Sequence, residues 1–489
     1  MSIIDIQHLT FHYPESTDTV FEDVNLQLDS HWKLGLVGKN GSGKTTLLKL
    51  LAGKLSFHGK IHKTINFCYF PFSVNDQMQT PLEISESINP LCEAWKLKKE
   101  FSALNLKREV IQTPFAFLSD GEKTKALLAI LFLQENSLVL IDEPTNHLDL
   151  TGRQALADYL CTKRSFILVS HDRTLLDSTV DHILAIEHNT IEIRHVCFAD
   201  YLQERERQRE SELAQNKQLK KEIKTLQTAA KNASNHANQI EKSKIGTHVG
   251  DRGYIGHKSA KMMKRAKSIQ ARAEKKAEQK SLLLYQNDKQ EILTLTPLHH
   301  HKQGLIQLLN VTLSYDKNIL QQNLSLQIDQ GQRIAVTGPN GSGKSSLLKA
   351  LSGEIPIASG TIQFAPNLIL SYLPQTTNCL QGSIETMIEQ NNLSKTKVLT
   401  LLKKLGFSRE DFNKRLEAMS QGQKKKVLLA QSIASSAHLY LWDEPLNYLD
   451  LESRMLIEQI LMSSTATVLF IEHDRHFVDA VATKVISFL

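Results

Sequence analysis

The chain has 489 residues, 41% hydrophobic and 22% charged, with a formal net charge of +6; this is ordinary globular composition, long enough for two or three domains with buried cores. No apolar run approaches the roughly 20 residues that a membrane helix needs, and the opening MSIIDIQHLTFHYP lacks the basic start and small-residue cleavage site of a secretory leader. The five cysteines (Cys68, Cys92, Cys161, Cys197 and Cys379) form neither a CxxC pair nor a zinc spacing, so the expectation is a cytoplasmic protein whose thiols are reduced and buried.

In chain order, KLGLVG at 33–38 reads as a buried strand running into Gly38-Lys39-Asn40-Gly41-Ser42-Gly43-Lys44-Thr45, which fits GxxxxGK[ST]. Glycines there let backbone N–H groups turn onto phosphate oxygens, and the following helix start adds positive potential. Lys44 is expected to reach the β- and γ-phosphates of ATP and Thr45 to ligate Mg²⁺, with Thr46 beside them. Leu118-Ser119-Asp120-Gly121-Glu122 then opens a helix, where the Ser119 hydroxyl and Gly121 amide make a second phosphate-binding surface. LVLIDEP closes another buried strand on Asp142-Glu143. An acid there can hold the Mg²⁺ shell, and its neighbour can orient or deprotonate the attacking water. SFILVSHD ends a third strand and places His171 near the γ-phosphate position. Taken singly, an Asp-Glu pair is usually a solvated loop and a lone His usually structural; the spacing from the P-loop argues otherwise.

The middle of the chain has a different texture. No proline occurs from Thr145 to Thr296. Residues 203–228 and 256–284 are polar and helix-favouring, and 232–258 between them contains four glycines. The pattern predicts a first domain at 1–200, a helical hairpin at 201–290 with helices of about 26 residues and a tip near 232–258, and a second domain at 291–489; each helix would be roughly 40 Å long. A solvated, partly disordered linker is the bland alternative. Residues 201–290 hold 21 Lys and Arg against 10 Asp and Glu, a surplus of +11 that leaves −5 for the flanks of a +6 chain. That asymmetry points to a polyanion partner for the middle.

The first domain then returns. Lys344 lies 300 residues after Lys44, Ser420 is 301 after Ser119, Glu444 is 301 after Glu143, and His473 is 302 after His171. Near-constant offsets over four motifs make this a duplicated domain of about 200 residues. Strands feeding glycine turns and helices predict an α/β fold with a largely parallel sheet and its ligand at the strand carboxyl ends. The second P-loop comprises Gly338, Asn340, Gly341, Ser342, Gly343, Lys344 and Ser345, followed by Ser346; Ser345 and Asp443 are its expected Mg²⁺ ligands.

Leu-Ser-Asp-Gly-Glu and Met419-Ser420-Gln421-Gly422-Gln423 resemble the signature of ATP-binding-cassette proteins, usually Leu-Ser-Gly-Gly-Gln. In that family each signature faces the P-loop of the other module. The resemblance therefore implies two composite sites: Lys44, Glu143 and His171 with Ser420 and Gly422, and Lys344, Glu444 and His473 with Ser119 and Gly121. It also marks Tyr13 and Tyr315 as adenine-stacking aromatics, although ordinary strand packing would account for either, and Gln375, in Tyr372-Leu373-Pro374-Gln375, as the sensor of Mg²⁺ and γ-phosphate. Phe72 stands where the first copy should have that glutamine, and Leu446, Tyr448 and Glu472 replace Thr145, His147 and Ser170, so the sites are expected to be unequal.

Two cassettes, no membrane domain and a helical linker resemble the ABC-F family, which acts on the ribosome in translation and antibiotic resistance. That resemblance implies an ATPase, monomeric with an intramolecular cassette pair. Its ATP-bound form would bind the tRNA exit site of the 70S ribosome, with the hairpin reaching 23S rRNA and P-site tRNA, and hydrolysis would release it. No insertion before the first signature is expected, since Pro71 to Ser119 spans 48 residues and Pro374 to Ser420 spans 46, and no C-terminal extension is expected after the last strand, VISFL. The tip KSKIGTHVGDRGYIGHK and the DEPLNYLD and IEHD variants are similar to the resistance branch, which protects ribosomes from lincosamides, pleuromutilins and streptogramin A drugs. A housekeeping translation factor is the alternative. A transporter ATPase subunit fits less well, because a basic hairpin between cassettes has no role there; a DNA-repair ATPase lacks support without longer coiled coils or zinc modules.

Overall fold

The computed structural model of the chain describes residues 3–14, 19–90, 93–146, 148–187, 190–242, 264, 268, 271–272, 275, 294–315, 318–377 and 380–488. Residues Met1–Phe198 with Ile292–Leu489 form one compact unit, and Ala199–Glu291 another.

In the first unit the α/β fold appears twice. The first copy opens with β1 (Ile3–His12), which pairs antiparallel with β2 (Thr19–Asp29) and β4 (His58–His62). Its main sheet has the order β5-β6-β7-β3-β8-β9: β3 (Lys33–Gly38), β5 (Asn66–Phe70), β6 (Ser137–Asp142), β7 (Phe166–Val169) and β8 (His182–Glu187) run parallel, and β9 (Thr190–Arg194) is antiparallel. Helix α1 (Lys44–Leu51) follows the P-loop. Next come α2 (Pro81–Ile88) and α3 (Ala94–Ala103), then α4 (Asp120–Phe132), α5 (Leu150–Thr162) and α6 (Arg173–Thr179). Every residue of FILV in β7 is buried, as a parallel strand covered on both faces requires.

In the second copy, β10 (Thr296–Pro297) precedes β11 (Gly304–Tyr315), β12 (Asn318–Asp329) and β13 (Arg333–Thr337). Helix α8 (Lys344–Ser352) leads to β14 (Ser359–Phe364) and β15 (Leu370–Leu373). Helices α9 (Ile384–Gln390), α10 (Lys395–Lys404) and α11 (Gln421–Ala434) come next. The chain ends through β16 (Ser436–Ala437), β17 (Leu439–Asp443), α12 (Leu451–Met462), β18 (Thr467–Ile471), α13 (Arg475–Val481) and β19 (Lys484–Ser487). The parallel sheet has the order β15-β17-β18-β13-β19, beside an antiparallel β12-β11-β14 sheet. Its core joins Trp442, Tyr440 and Phe470 to Leu401, Leu402 and Ile433 of the helices. In both copies the P-loop, the acidic pair and the switch histidine leave the carboxyl ends of adjacent parallel strands, so the topology gathers them on one rim.

The second unit departs from expectation. Its first helix, α7, runs Phe198–Lys242 for 45 residues rather than about 26, roughly 68 Å at 1.5 Å per residue. The Asn- and Ser-containing stretch read as the start of the tip is helical through Lys242. Asn and Ser weaken a helix by fractions of a kcal/mol, and no glycine or proline intervenes before Gly246. Residues 264, 268, 271–272 and 275 of the second helical pattern are also helical; 243–263, with most of the tip, lies outside the described residues. The expectation of buried thiols holds for Cys68 and fails for Cys161 and Cys197, which are exposed: Cys161 sits in the last turn of α5 and Cys197 between β9 and α7, positions at the ends of elements. Cys92 and Cys379 lie outside the described residues.

Candidate nucleotide sites

Each P-loop wraps the start of its helix. The Lys44 ammonium donates to the carbonyls of Gly38 (2.8 Å) and Lys39 (2.9 Å), and Lys344 to those of Gly338 (2.9 Å) and Pro339 (2.7 Å). Gly43 has φ +95°, and a Cβ there would stand 2.7 Å from Val20 Cγ1; Gly41, at φ +82°, has open space where its Cβ would project. One glycine is needed for packing and the other leaves the backbone accessible. The hydroxyls of Ser42 and Ser342 are buried without a hydrogen-bond partner, as is Asp443 Oδ2. Buried orphan oxygens at a P-loop and at a strand-end acid fit phosphate and a hydrated hard cation. The rest of the acidic corner is tied: Ser345 Oγ donates to Asp443 Oδ1 (3.1 Å), and Tyr69 OH to Asp142 Oδ2 (3.0 Å).

Glu143 and Glu444 share a feature that sequence does not display. Both adopt left-handed backbone, with φ of 50° and 46°. Such conformations cost roughly 1–3 kcal/mol in a non-glycine residue and persist only when surroundings hold them. The Glu143 N–H donates to Val169 O (2.9 Å) and the Glu444 N–H to Ile471 O (3.1 Å), each on the strand that ends at the switch histidine. The turn brings Glu143 Oε1 to 3.4 Å from His171 Nε2 and Glu444 Oε1 to 3.8 Å from His473 Nε2. Asn447 Nδ2 donates to the other oxygen of Glu444.

Burial sets the charge states. It pushes the Glu143 carboxyl up to about 7, with the Arg454 guanidinium opposing. It holds His171 well below the ordinary imidazole range, reinforced by Lys44 and Arg454. Burial and then Lys344 hold His473 down to about 3. Both histidines are therefore neutral at physiological pH, so each stands beside its glutamate as an uncharged imidazole rather than as a counter-ion. Burial, then the charge of Glu444, raises Asp443 to about 6.

The two sites differ in how they are enclosed. A cavity of about 1180 Å³ is lined by Lys344, Ser345, Ser346, Asn340, Gly341, Gly343, Gln375, Glu444 and His473 of the second cassette and by Ser119, Gly121 and Glu122 of the first. Residues of the second P-loop and of the first signature thus line one cavity. Ser119 caps α4 in a capping box with Glu122, which points the helix start into the cavity. The cavity at the first P-loop, about 290 Å³, is lined by Tyr13, Asn40, Gly41, Gly43, Lys44, Thr45, Thr46, Asp142, Glu143 and His171, all from the first cassette. Ser420, Gly422 and Gln423 do not line it; Gln423 instead closes the capping box on Ser420 and donates to Asp411. What approaches the first P-loop from the second cassette is the segment after its Asp443-Glu444 turn: Glu452 lies 3.4 Å from Lys39, and Arg454 donates to the His171 carbonyl (3.2 Å). Tyr13 donates to or accepts from Thr46 (2.8 Å). The side chain of Tyr315, which ends β11, lies outside the described residues, as does His147. Phe72 does not line the cavity at the first P-loop, whereas Gln375 lines the one at the second P-loop.

The family described as ABC transporter matches residues 21–146 and 321–447. The ribosome protection protein VmlR of Bacillus subtilis is 30% identical over 480 residues, covering 96% of this chain and 83% of that protein. ABC transporter F family member 2 of Arabidopsis thaliana is 24% identical, covering 96% of this chain and 74% of that protein. The chain belongs to the ABC-F ATPases. Among solved structures, the complex of archaeal ribosomal stalk protein aP1 with the archaeal ribosome recycling factor aABCE1 contains a chain of the same fold, with a TM-score of 0.65 at 19% identity, covering 98% of this chain and 87% of that one. Among the described residues, no helix of this ABC-F chain is long and apolar enough to cross a membrane.

The structure also brings residues to this ABC-F site that motif reading passed over. Arg153 and Arg454 are buried, and each donates through Nε to its own loop, to Leu148 O and Leu449 O (both 3.1 Å). Each also pairs with the Asp after its switch histidine, Asp172 at 3.1 Å and Asp474 at 3.2 Å. Their signal was present in the repeat: LDLTGR and LDLESR carry arginine at the same step. Across the cassettes Arg173 lies 3.1 Å from Glu458, while its counterpart Arg475 lies 3.6 Å from Asp479 of its own helix.

Proposed function

We propose that this ABC-F ATPase binds the ribosome in its ATP-bound form and uses the basic linker, about 201–290, to displace antibiotics of the lincosamide, pleuromutilin and streptogramin A type. Similarity to a ribosome protection protein along 96% of the chain carries the reading, because that match includes the linker as well as the cassettes. The linker's +11 surplus supports an RNA partner, 23S rRNA with P-site tRNA, reached from the tRNA exit site of the 70S ribosome. The working location is the cytoplasm, and the protein acts as a monomer whose two cassettes pair with each other.

In this reading Lys44 and Lys344, with the P-loop amides, hold phosphates; Thr45 with Asp142, and Ser345 with Asp443 and Gln375, hold Mg²⁺, which screens phosphate charge. Glu143 and Glu444 orient the attacking water and accept its proton, and neutral His171 and His473 face the γ-phosphate. Tyr13 and Tyr315 stack on adenine. Ser119 and Gly121 complete the second site, so binding there joins the cassettes; Ser420, Gly422 and Gln423 serve the first site once the second signature moves onto it. A ligand that bridges two modules favours their joined state, and hydrolysis removes that preference and releases the ribosome.

Expression in a drug-sensitive Gram-positive host tests the assignment. Inhibitory concentrations of a lincosamide and a pleuromutilin are expected to rise at least about fourfold, a threshold that needs a protection free energy of only about 0.8 kcal/mol. Unchanged values for both drugs refute the resistance reading.

A further inference from the structure

Two exchanges separate the inner walls of the two sites. Thr124 and Ser170 of the first cassette correspond to Lys425 and Glu472 of the second, at offsets of 301 and 302. Both second-cassette residues are charged, and both are almost completely buried, at 1% and 2% exposure. Lys425 Nζ donates to the carbonyls of Pro374 and Asp443, each at 2.9 Å. These two backbones lead directly into Gln375 and Glu444. Glu472 Oε1 accepts the N–H of Leu446 (2.7 Å), two residues past Glu444, and its Oε2 accepts the N–H of His473 (3.0 Å). In the first cassette Ser170 Oγ accepts from Asp172 N (3.1 Å), within its own loop.

We infer that Lys425 and Glu472 are paired positioning residues that lock Gln375, Glu444 and His473 of the second site into one rigid frame. Four hydrogen bonds to backbone, two from the Lys425 ammonium and two to the Glu472 carboxyl, fix the three segments that carry the reacting groups. Both polar heads are buried, and these hydrogen bonds offset the cost of taking them out of water. The arrangement makes the second site the preorganised one and leaves the first, with Thr124, Ser170 and Phe72, more loosely built. Positional error of about 1 Å in such groups is enough to lower a rate by about 100-fold. The inference rests on Glu444 being the hydrolytic carboxylate of the second site.

Steady-state ATPase measurements in a Glu143→Gln background read that site alone. Adding Glu444→Gln there checks the underlying assignment separately, since turnover that survives it refutes the assignment rather than the pairing. Lys425→Thr with Glu472→Ser transplants the first cassette's residues. The expected result is a kcat lowered about 10- to 100-fold with KM for ATP within about twofold. Glu472→Gln, which keeps shape and one acceptor oxygen, should give a smaller fall in kcat, again without a KM change. An unchanged kcat in both proteins, or a KM that rises while kcat holds, overturns the pairing. Should the double substitution prevent folding, the same two outcomes for Glu472→Gln decide the matter.

Discussion

Replacing Glu143 and Glu444 together by glutamine will lower ATP turnover by about 10²- to 10⁴-fold, the range that loss of a general base commands, and leave the protein on ribosomes. Both carboxylates occupy strained left-handed turns pinned to the neighbouring strand, and both face a neutral histidine within 4 Å. Glutamine keeps the shape and the amide oxygen but cannot accept the proton, so nucleotide binding by Lys44 and Lys344 survives. With hydrolysis blocked, the bridged state of the cassettes persists. Sedimentation through a sucrose cushion with ATP should bring the doubly substituted protein down with 70S particles, and ADP should leave it in the supernatant. A protein that stays free of ribosomes in ATP contradicts the ribosome reading while leaving the ATPase chemistry intact.

Ser119→Arg will disable hydrolysis at the second P-loop although it changes the first cassette. Ser119 lies in the lining of the cavity that holds Lys344, Glu444 and His473, at the start of α4. Arginine there fills the space beside the P-loop and removes the hydroxyl that caps the helix. Loss of one preorganised contact to developing charge lowers turnover by about 10²- to 10³-fold, so in a Glu143→Gln background the rate should fall by that much. Ser420→Arg, whose site lies outside the first cavity, should act less strongly on first-site nucleotide affinity than Ser119→Arg acts at the second. Competition binding with a fluorescent ATP analogue reads that difference; equal losses at the two sites would show that the asymmetry of enclosure has no functional weight.

What the sequence made legible was local in the chain. A P-loop, a strand ending in Asp-Glu and a strand ending in His-Asp announce themselves within eight residues each, and duplication at a nearly constant offset multiplied their weight. The parallel sheet followed from strands too short and too uniformly apolar to be anything but covered on both faces. Features that depend on distant chain segments stayed hidden. The positive φ of Glu143 and Glu444 is imposed by hydrogen bonds to Val169 and Ile471. Arg454 reaches the His171 carbonyl across 283 positions, and Lys425 reads as an ordinary surface lysine in Gln-Lys-Lys-Lys until its two carbonyl partners are seen. Helix α7 is longer than its composition suggests, because Asn-Ala-Ser-Asn-His resembles a turn, whereas a helix already propagating passes through weak formers. The unequal enclosure of the two cavities is a relation between modules: the exchanges at Phe72, Leu446, Tyr448 and Glu472 predict unequal chemistry but not which site the other module's signature reaches.

In the function proposed above, the ATP-bound protein brings the linker segment around residue 248 to the drug-binding region of the large subunit. That placement is tested most directly by crosslinking from a photoreactive amino acid at position 248 in the Glu143→Gln/Glu444→Gln protein bound to 70S ribosomes. The expected result is ATP-dependent crosslinks to 23S rRNA nucleotides of the peptidyl-transferase centre, lost when a pleuromutilin is bound in excess. Crosslinks confined to ribosomal proteins or to 16S rRNA, or equal yields with ATP and ADP, would contradict it.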